Sequence, residues 1–239
     1  MPNRLANIVV DSADPAALAR FWSGLLEWPI ATEEPGEVCV RSPTAPYEFD
    51  VVFVPVPEPK TGQNRVHLDL ASATSAEQLA LVERAVELGG RPADVGQDGV
   101  PWIVLADPEG NEFCVLEPRE VYRDAGRIAA IVVASDDPGG ASGFWSAALD
   151  WPAASAEEGF VGLAAPAGLP HLEFLPGAAK STKDRLHLDL VPEDQERTVA
   201  ALLELGAHRL DLGQRDASWV VLTDPTGGEF CVLTARPGR

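Results

Sequence analysis

The sequence is short of positive charge and of cysteine. Its 239 residues carry 18 Lys and Arg against 37 Asp and Glu, which gives a formal net charge of −19. Nucleic-acid binding depends on clustered Lys and Arg, so this imbalance argues against a nucleic-acid partner and is compatible with a cationic ligand. The three cysteines are odd in number and form no CxxC pair, which argues against a disulfide framework.

The sequence also lacks a long apolar run. No segment approaches the ~20 apolar residues that a membrane-spanning helix needs. The first residues, MPNRLANIVVDSADP, lack the features of a secretory signal. We therefore expect a cytoplasmic protein without a membrane partner. Apolar residues make up 46% of the chain and charged residues 23%, as in ordinary globular domains, and the length suffices for two of them.

Three sequence blocks occur twice, in the same order. FWSGLLEWP at 21–29 returns as FWSAALDWP at 144–152, HLDL at 67–70 returns at 187–190, and DPEGNEFCVL at 107–116 returns as DPTGGEFCVL at 224–233. Repeated blocks of this kind indicate a duplicated unit. We predict one domain at 1–118, a linker at 119–126 and a second domain at 127–239.

Each predicted domain divides again into two halves of one pattern. In the first half a strand at 6–12 leads through Asp14-Pro15, an N-cap and a first-turn proline, into a helix at 15–26. In the second half a strand at 66–71 precedes a helix at 75–88, and three short strands follow each helix. We predict an α+β fold of four βαβββ modules. They pair within each domain into two open partial barrels, each with a cleft that suits a small ligand, and exchange of modules between the domains or between chains stays an alternative.

The doubled βαβββ pattern, the FW pair and the closing DP-x-G-x-E-F-C-V-L strand resemble the vicinal oxygen chelate superfamily. Its members include glyoxalase I, extradiol dioxygenases, fosfomycin-modifying enzymes and bleomycin-resistance proteins. The repeated blocks are similar to those of its glyoxalase-like branch and cover nearly the whole chain. The resemblance implies a divalent metal held by His and Glu on cleft-facing strands: one ligand on the first strand of a module and a Glu on a final strand.

The positions that the resemblance assigns to the metal are mostly replaced in this chain. Counted from the helix N-caps and the D-P-x-G turns, they carry Asn7, His67 and Cys114 in the first domain, and Ala130, His187 and Cys231 in the second. Only the two histidines match the family's ligand types. His67 and His187 are therefore the candidate metal ligands, the standard metal triad is not expected, and the cofactor stays open.

Strand alternation adds side chains to these positions. In VHLDL the apolar residues share one face, so His67 and Asp69 lie together on the other, and the second copy repeats this with His187 and Asp189. These four are the candidate catalytic residues, each histidine as ligand or general base and each aspartate as its orienting partner. Further residues are expected to line the clefts: Asn7, Asp11, Trp102, Glu112, Cys114, Trp219, Glu229 and Cys231.

Several neighbouring patterns have a structural explanation. The cysteines could act as zinc ligands together with His and carboxylate, or as inert wall residues beside a His–Asp pair. The repeated bases Lys60, Arg65, Lys180 and Arg185 are predicted to form ion pairs with acidic residues of neighbouring strands. His171 and Glu173 share a strand and are a further candidate pair for the second cleft.

Three functions remain open at this point. We prefer a protein that binds a small molecule, with a cationic ligand favoured by the acidic cleft, and that sequesters a toxic or antibiotic compound. The second hypothesis is an enzyme of the same superfamily, a metal-dependent lyase, isomerase or dioxygenase. The third is a structural or regulatory module whose clefts are filled by side chains. We expect either a monomer that acts as its own pseudo-dimer or a homodimer.

Overall fold

The computed structural model describes residues 3–43, 49–157, 159–213 and 217–234. They form four modules of one order, a strand, a helix and three strands. Module 1 has β1 (Arg4–Ser12), α1 (Pro15–Leu26), β2 (Ile30–Glu34), β3 (Glu37–Arg41) and β4 (Asp50–Pro55). Module 2 has β5 (Val66–Leu70), α2 (Ser75–Glu87), β6 (Arg91–Pro92), β7 (Ile103–Ala106) and β8 (Glu112–Val115). A short 3-10 helix, Glu120–Tyr122, follows in the linker.

The second half of the chain repeats this order. Module 3 has β9 (Ile128–Ser135), α3 (Pro138–Leu149), β10 (Ala153–Glu157), β11 (Phe160–Leu163) and β12 (His171–Pro176). Module 4 has β13 (Leu186–Val191), α4 (Gln195–Glu204), β14 (His208–Arg209), β15 (Val220–Thr223) and β16 (Glu229–Val232). None of these helices within the described ranges has the length and apolar character needed to cross a membrane. The predicted α+β fold of four βαβββ modules is confirmed.

The modules pair across the two halves of the chain. Sheet I joins modules 1 and 4 in the order β14-β15-β16-β13-β1-β4-β3-β2. Sheet II joins modules 2 and 3 in the order β10-β11-β12-β9-β5-β8-β7-β6. The first strands make the junctions, β1 antiparallel to β13 and β5 antiparallel to β9. Two open sheets are therefore confirmed, but the pairing of modules within each predicted domain is wrong.

Within each half of the chain, the two modules meet through a helix and a turn. The buried carboxylate of Asp107, in the D-P-x-G turn, accepts a hydrogen bond of 3.2 Å from the Trp22 indole of α1. Asp224 accepts the equivalent bond of 3.0 Å from Trp145 of α3. The repeated FW and D-P-x-G blocks thus connect modules that lie in different sheets. This contact leaves the first strands free to pair with the other half.

The helices α1 and α3 begin and end in the same way. Asp14 caps α1 by accepting a hydrogen bond from the backbone N–H of Ala17, and Asp137 caps α3 in the same manner. Each helix ends at a residue in the left-handed conformation, Glu27 with φ 60° and Asp150 with φ 58°. The tryptophans of both helices are buried, as their helical spacing predicts. Each sheet therefore has one face covered by helices and one face turned away from them.

Candidate functional site

The faces turned away from the helices carry the predicted site residues, and we call them cleft I on sheet I and cleft II on sheet II. Strand register sets four side chains in a row across each cleft. In cleft I the row is Cys231, Asp189, Asn7 and Asp50. In cleft II the row is Cys114, Asp69, Ala130 and His171. The two rows are equivalent positions of the duplicated sequence.

Each cleft holds one cluster of histidine, aspartate and cysteine. The clusters are His187, Asp189 and Cys231 in cleft I, and His67, Asp69 and Cys114 in cleft II; within each, one ligand atom per residue lies within 4.8 Å of the others. Nε2 of His67 is 3.4 Å from Oδ1 of Asp69, and Nε2 of His187 is 3.7 Å from Oδ1 of Asp189. Both Oδ1 atoms are buried and accept no hydrogen bond from a described residue. The sequence-predicted catalytic pairs are thus brought together, and their roles stay predictions.

The cysteines of both clusters are held as thiols. Burial raises the pKa of the Cys114 and Cys231 thiols far above the usual range, and the neighbouring Asp69 and Asp189 carboxylates raise it further. A nucleophilic cysteine needs a lowered pKa and a positive neighbour. The raised pKa therefore supports the interpretation of these cysteines as wall residues and argues against a nucleophilic thiolate.

The donor chemistry of each cluster nevertheless fits a zinc-type ion. Imidazole, carboxylate and thiolate are the groups that zinc binds in proteins. The unpartnered Oδ1 atoms of Asp69 and Asp189 have lone pairs available. Asn7 and Ala130, the first-strand positions implied by the family resemblance, add no such donor. A metal would be held by the cluster, in which the histidine and the cysteine occupy two of the family's standard positions and the aspartate takes the place of the first-strand ligand.

Cleft I is polar beside its cluster and apolar further along. Nδ2 of Asn7 donates a hydrogen bond of 3.2 Å to Oδ2 of Asp189. Two other carboxylates are neutralised, Asp50 by two bonds of 2.8 Å from Arg41 and Asp11 by Lys183. An apolar cluster of Val9, Cys39 and Val52 lies on the same face. Asn7 therefore belongs with His187 and Cys231, and its predicted grouping with His67 and Cys114 is wrong because the first strands pair across the halves.

Cleft II is covered by the linker. Tyr122 of the 3-10 helix is buried against Cys114, Ala130 and Val132. Its hydroxyl donates a hydrogen bond of 2.6 Å to Oε1 of Glu173. The pKa of Glu173 is raised to about 7, mainly by burial, although the bond from Tyr122 acts in the opposite direction. Ala130 thus belongs with His67 and Cys114, which corrects its predicted grouping with His187 and Cys231.

The remaining predicted cleft residues lie at the ends of the strands. Glu112 accepts hydrogen bonds from Nζ of Lys60, at 2.9 Å, and from the backbone N–H of Asn64, at 3.1 Å. Glu229 binds Lys180 and the N–H of Asp184 in the same way. These carboxylates are engaged in anchoring loops.

The other two repeated bases also form ion pairs. Arg65 pairs with Asp184 at 3.1 Å and Arg185 with Glu109 at 3.2 Å. Ion pairs of all four repeated bases with acidic residues are therefore confirmed. At the ends of the clefts, all four bases are therefore already paired with carboxylates.

The two tryptophans that directly precede β7 and β15 differ in their surroundings. Trp102 donates from its indole to Gln97 at 2.9 Å, and the Arg119 guanidinium lies 5.4 Å from its ring centre. Trp219, at the equivalent position of the second copy, is 45% exposed. Arg119 belongs to the linker, so the linker contacts cleft II at two points.

Two surface cavities border the linker and the loops. One has a volume of 720 Å³ and is lined in part by Tyr122 and Arg119. The other, of 570 Å³, lies between the loops at 58–65 and 176–185 and includes Asp11. Neither cavity is lined by residues of the His–Asp–Cys clusters. The clusters and these two cavities are therefore separate candidate sites.

Sequence reasoning missed Tyr122 and underrated Glu173. The signal was present in the repeat, because Glu173 and Ala130 of module 3 stand at positions that carry Val52 and Asn7 in module 1. An acid in place of Val52 and a small residue in place of Asn7 indicate that the cleft-facing side of module 3 has a different neighbour from that of module 1. Without knowledge that modules 2 and 3 share a sheet, the neighbour could not be identified.

The model of the glyoxalase-like domain matches residues 7–116 and again residues 130–233. Among solved structures, glyoxalase I from Zea mays is 14% identical with a TM-score of 0.68, and the match covers 97% of this chain and 92% of that one. A protein provisionally described as a dioxygenase from Bacillus subtilis is 13% identical with a TM-score of 0.67, covering 98% and 86%. At these identities the likeness shows the fold alone. No curated protein with a significantly similar sequence was found.

Proposed function

Because the chain belongs to the glyoxalase-like domain family, we propose that it binds a small molecule in cleft I without the family's standard metal triad. The observation that carries this proposal is Oδ1 of Asp189, a buried carboxylate oxygen without a described hydrogen-bond partner. Leaving such an acceptor unpaired costs about 1–3 kcal/mol. A ligand N–H or O–H that donates to this atom would recover that cost.

The charge in cleft I favours a cationic ligand. Arg41 and Lys183 neutralise Asp50 and Asp11, so the Asp189 carboxylate is the one in this group without an Arg or Lys partner. The apolar residues Val9, Cys39 and Val52 offer contact to a carbon skeleton beside it. An ammonium or amidine group attached to such a skeleton would satisfy both surfaces. Sequestration of a toxic or antibiotic compound of this kind is the role that we propose.

The test measures the binding of a panel of cationic compounds, including bleomycin, by thermal shift and calorimetry. Asp189→Asn removes the charge with little change of shape, and Asp69→Asn is the matched control in cleft II. We expect Asp189→Asn to weaken binding by roughly 10- to 100-fold, since a hydrogen bond to a charged group is worth about 1.5–3 kcal/mol. Asp69→Asn should leave binding unchanged. Equal binding by wild type and Asp189→Asn would refute the proposal.

A second candidate function is a metal-dependent lyase, isomerase or dioxygenase. The favouring observation is the convergence of His, Asp and Cys donor atoms within 4.8 Å in both clefts. In this case His187, Asp189 and Cys231, or their counterparts in cleft II, would hold the ion. A bound divalent metal supplies a Lewis acid that polarises a substrate oxygen. The cluster residues would position it, and Asn7 would keep Asp189 oriented.

Metal analysis separates the two candidates. Purified protein is assayed for bound metal and then titrated with Zn²⁺, Ni²⁺ and Mn²⁺. If the first proposal is right, no stoichiometric, tightly held ion is found, and His187→Ala does not change the metal content. A tightly held stoichiometric ion that His187→Ala or His67→Ala releases would establish the metal site instead.

A further inference from the structure

We infer that cleft II is a phenol-binding site that the chain fills with its own linker residue, Tyr122. Cleft I is then the single cleft open to an outside ligand, a consequence that rests on the function proposed above. The inference about cleft II depends only on the residues around Tyr122. It assigns this cleft a ligand class, and the protein's own sequence supplies the ligand.

The surroundings of Tyr122 have the parts of a built ligand site. The hydroxyl donates to Oε1 of Glu173 at 2.6 Å, and both residues are buried. The ring meets the His171 ring edge to face, with centres 5.5 Å apart and planes at 76°. Small and apolar side chains, Ala130, Val132 and Cys114, belong to the same buried apolar cluster as Tyr122. A carboxyl acceptor at the end of an apolar slot is the arrangement that recognises a phenol.

The two copies of the repeat differ where this slot is formed. Ala130 replaces the bulkier Asn7 beside the aspartate of the cluster, which leaves room for an aromatic ring. The neighbouring strand changes as well: His171 stands at the position of Asp50, and Glu173 at that of Val52. In cleft I, therefore, position 52 carries no acceptor for a phenol, and the carboxylate at position 50 is already bound by Arg41. The cluster itself, a histidine, an aspartate and a cysteine, is the same in both clefts.

The linker is held in place on both sides of Tyr122. Arg119 pairs with Glu117 at 2.6 Å and lies over the Trp102 ring. The backbone N–H of Tyr122 closes a turn by donating to the carbonyl of Arg119 at 3.2 Å, and the N–H of Ala125 donates to the carbonyl of Tyr122 at 3.1 Å. The phenol is thus delivered by an ordered segment. Its placement does not depend on a chance contact of a loose side chain.

Tethering gives Tyr122 an advantage over any free phenol. A group on a short connection acts at an effective concentration of the order of millimolar. A free phenol present at micromolar concentration would not displace it. In the wild-type chain, therefore, cleft II should be closed to outside ligands, and removal of the Tyr122 side chain should open it.

The test uses the full chain and 4-methylphenol, which has the shape of the tyrosine side chain. Tyr122→Ala should bind 4-methylphenol, as seen by calorimetry and by shifts of the His171 and His67 imidazole signals in NMR spectra. Tyr122→Phe, the matched control that keeps the ring, should not bind it, and neither should wild type at the same concentrations. Toluene, which lacks the hydroxyl, should bind Tyr122→Ala at least tenfold more weakly.

Three results would overturn the inference. The first is binding by wild type equal to that of Tyr122→Ala. The second is no binding by folded Tyr122→Ala at ligand concentrations up to about one millimolar, the effective concentration of the tether. The third is equal affinity of Tyr122→Ala for toluene and for 4-methylphenol. None of these depends on Asp189, so a failure here leaves the Asp189→Asn experiment on cleft I intact, and the converse also holds.

A second measurement does not require Tyr122→Ala to fold. With 3-fluorotyrosine in the otherwise unchanged chain, the Tyr122 signal is assigned by its disappearance in Tyr122→Phe. A soluble paramagnetic probe should leave this fluorine signal sharp, because the occupied site excludes solvent. Broadening equal to that of free fluorotyrosine would show that Tyr122 does not occupy the site.

Discussion

At the scale of single residues, Glu173 has a side chain whose protonation should alter stability near neutral pH. Its pKa is raised from the ordinary 4.5 to about 7, because burial and the Asp69 carboxylate raise it by more than Tyr122, Arg119 and His67 lower it. A raised pKa means that the folded state holds a proton that the unfolded state has lost between these two values. The contribution is therefore greatest at low pH, and it is lost as the pH rises through about 7.

Glu173→Gln should remove this pH dependence. An amide keeps an oxygen that accepts the Tyr122 hydroxyl but cannot ionise. From pH 5 to pH 8 the wild type should lose on the order of 3 kcal/mol relative to the variant, since each unit of pKa shift corresponds to about 1.4 kcal/mol. Urea unfolding of both proteins at several pH values measures the difference in their free energies of unfolding. The contributions of the other carboxyl groups cancel in this difference because both proteins contain them. Parallel stability curves would contradict the prediction.

Asn7 is the residue on which the buried carboxylate of Asp189 depends. Burial raises the pKa of Asp189, and the bond from Nδ2 of Asn7 counteracts this. Asn7→Ala, which copies Ala130 of the other cleft, should destabilise the protein by about 1–3 kcal/mol because a buried acceptor loses its donor. In the background of Asp189→Asn the same change should cost less. Chemical denaturation of the four proteins of this cycle gives the coupling, and purely additive effects would show that the bond contributes nothing.

At the scale of elements, the D-P-x-G turn holds α1 against its own half of the chain. The carboxylate of Asp107 accepts four described hydrogen bonds, from the Trp22 indole, the N–H of Glu109, and the N–H and side-chain amide of Asn111. Asp107→Ala should therefore destabilise by at least about 3 kcal/mol, since several buried donors lose their acceptor together. Trp22→Phe removes only the indole donor and should cost clearly less. Thermal and urea unfolding compare them, and equal losses would mean that the turn itself contributes little.

The sequence predicts most of the elements because capping and apolar spacing act locally. The helix predicted at 15–26 is found with those bounds, and the one predicted at 75–88 ends at Glu87. Of the three short strands predicted after α2, the first spans only Arg91–Pro92. Its counterpart after α4, His208–Arg209, is equally short although it contains no proline. Short edge strands are therefore the least predictable elements of this fold.

At the scale of the whole molecule, the partner of each module could not be predicted in the same way. The first strands, β1, β5, β9 and β13, are almost wholly buried and carry the same alternation of apolar residues. Such a pattern fixes which face is buried but does not distinguish one equivalent partner from another. Only the pairing of modules 2 and 3 explains why Tyr122, Ala130 and Glu173 lie in one cleft. The clusters within one module, such as His67 and Asp69, needed no such knowledge and were predicted.

The pairing across the halves also bears on how the chain assembles. Each of sheets I and II combines a module from the first half of the chain with one from the second half. Either half alone would expose β1 and β5, or β9 and β13, as long apolar edges without partners. We expect residues 1–126 and 127–239, produced as separate chains, to be unfolded or aggregated alone. They should form a one-to-one complex when refolded together.

Light scattering and circular dichroism of the separate and mixed halves measure this behaviour. The control is the intact protein cut in the linker by a protease after folding, whose two pieces should remain together because eight-stranded sheets join them. A folded monomer of either half would contradict the pairing of β1 with β13 and of β5 with β9. Assembly from separate halves would show that the covalent connection after residue 126 is dispensable for folding. The position of the linker over cleft II would then be explained by Tyr122 and the site that it fills.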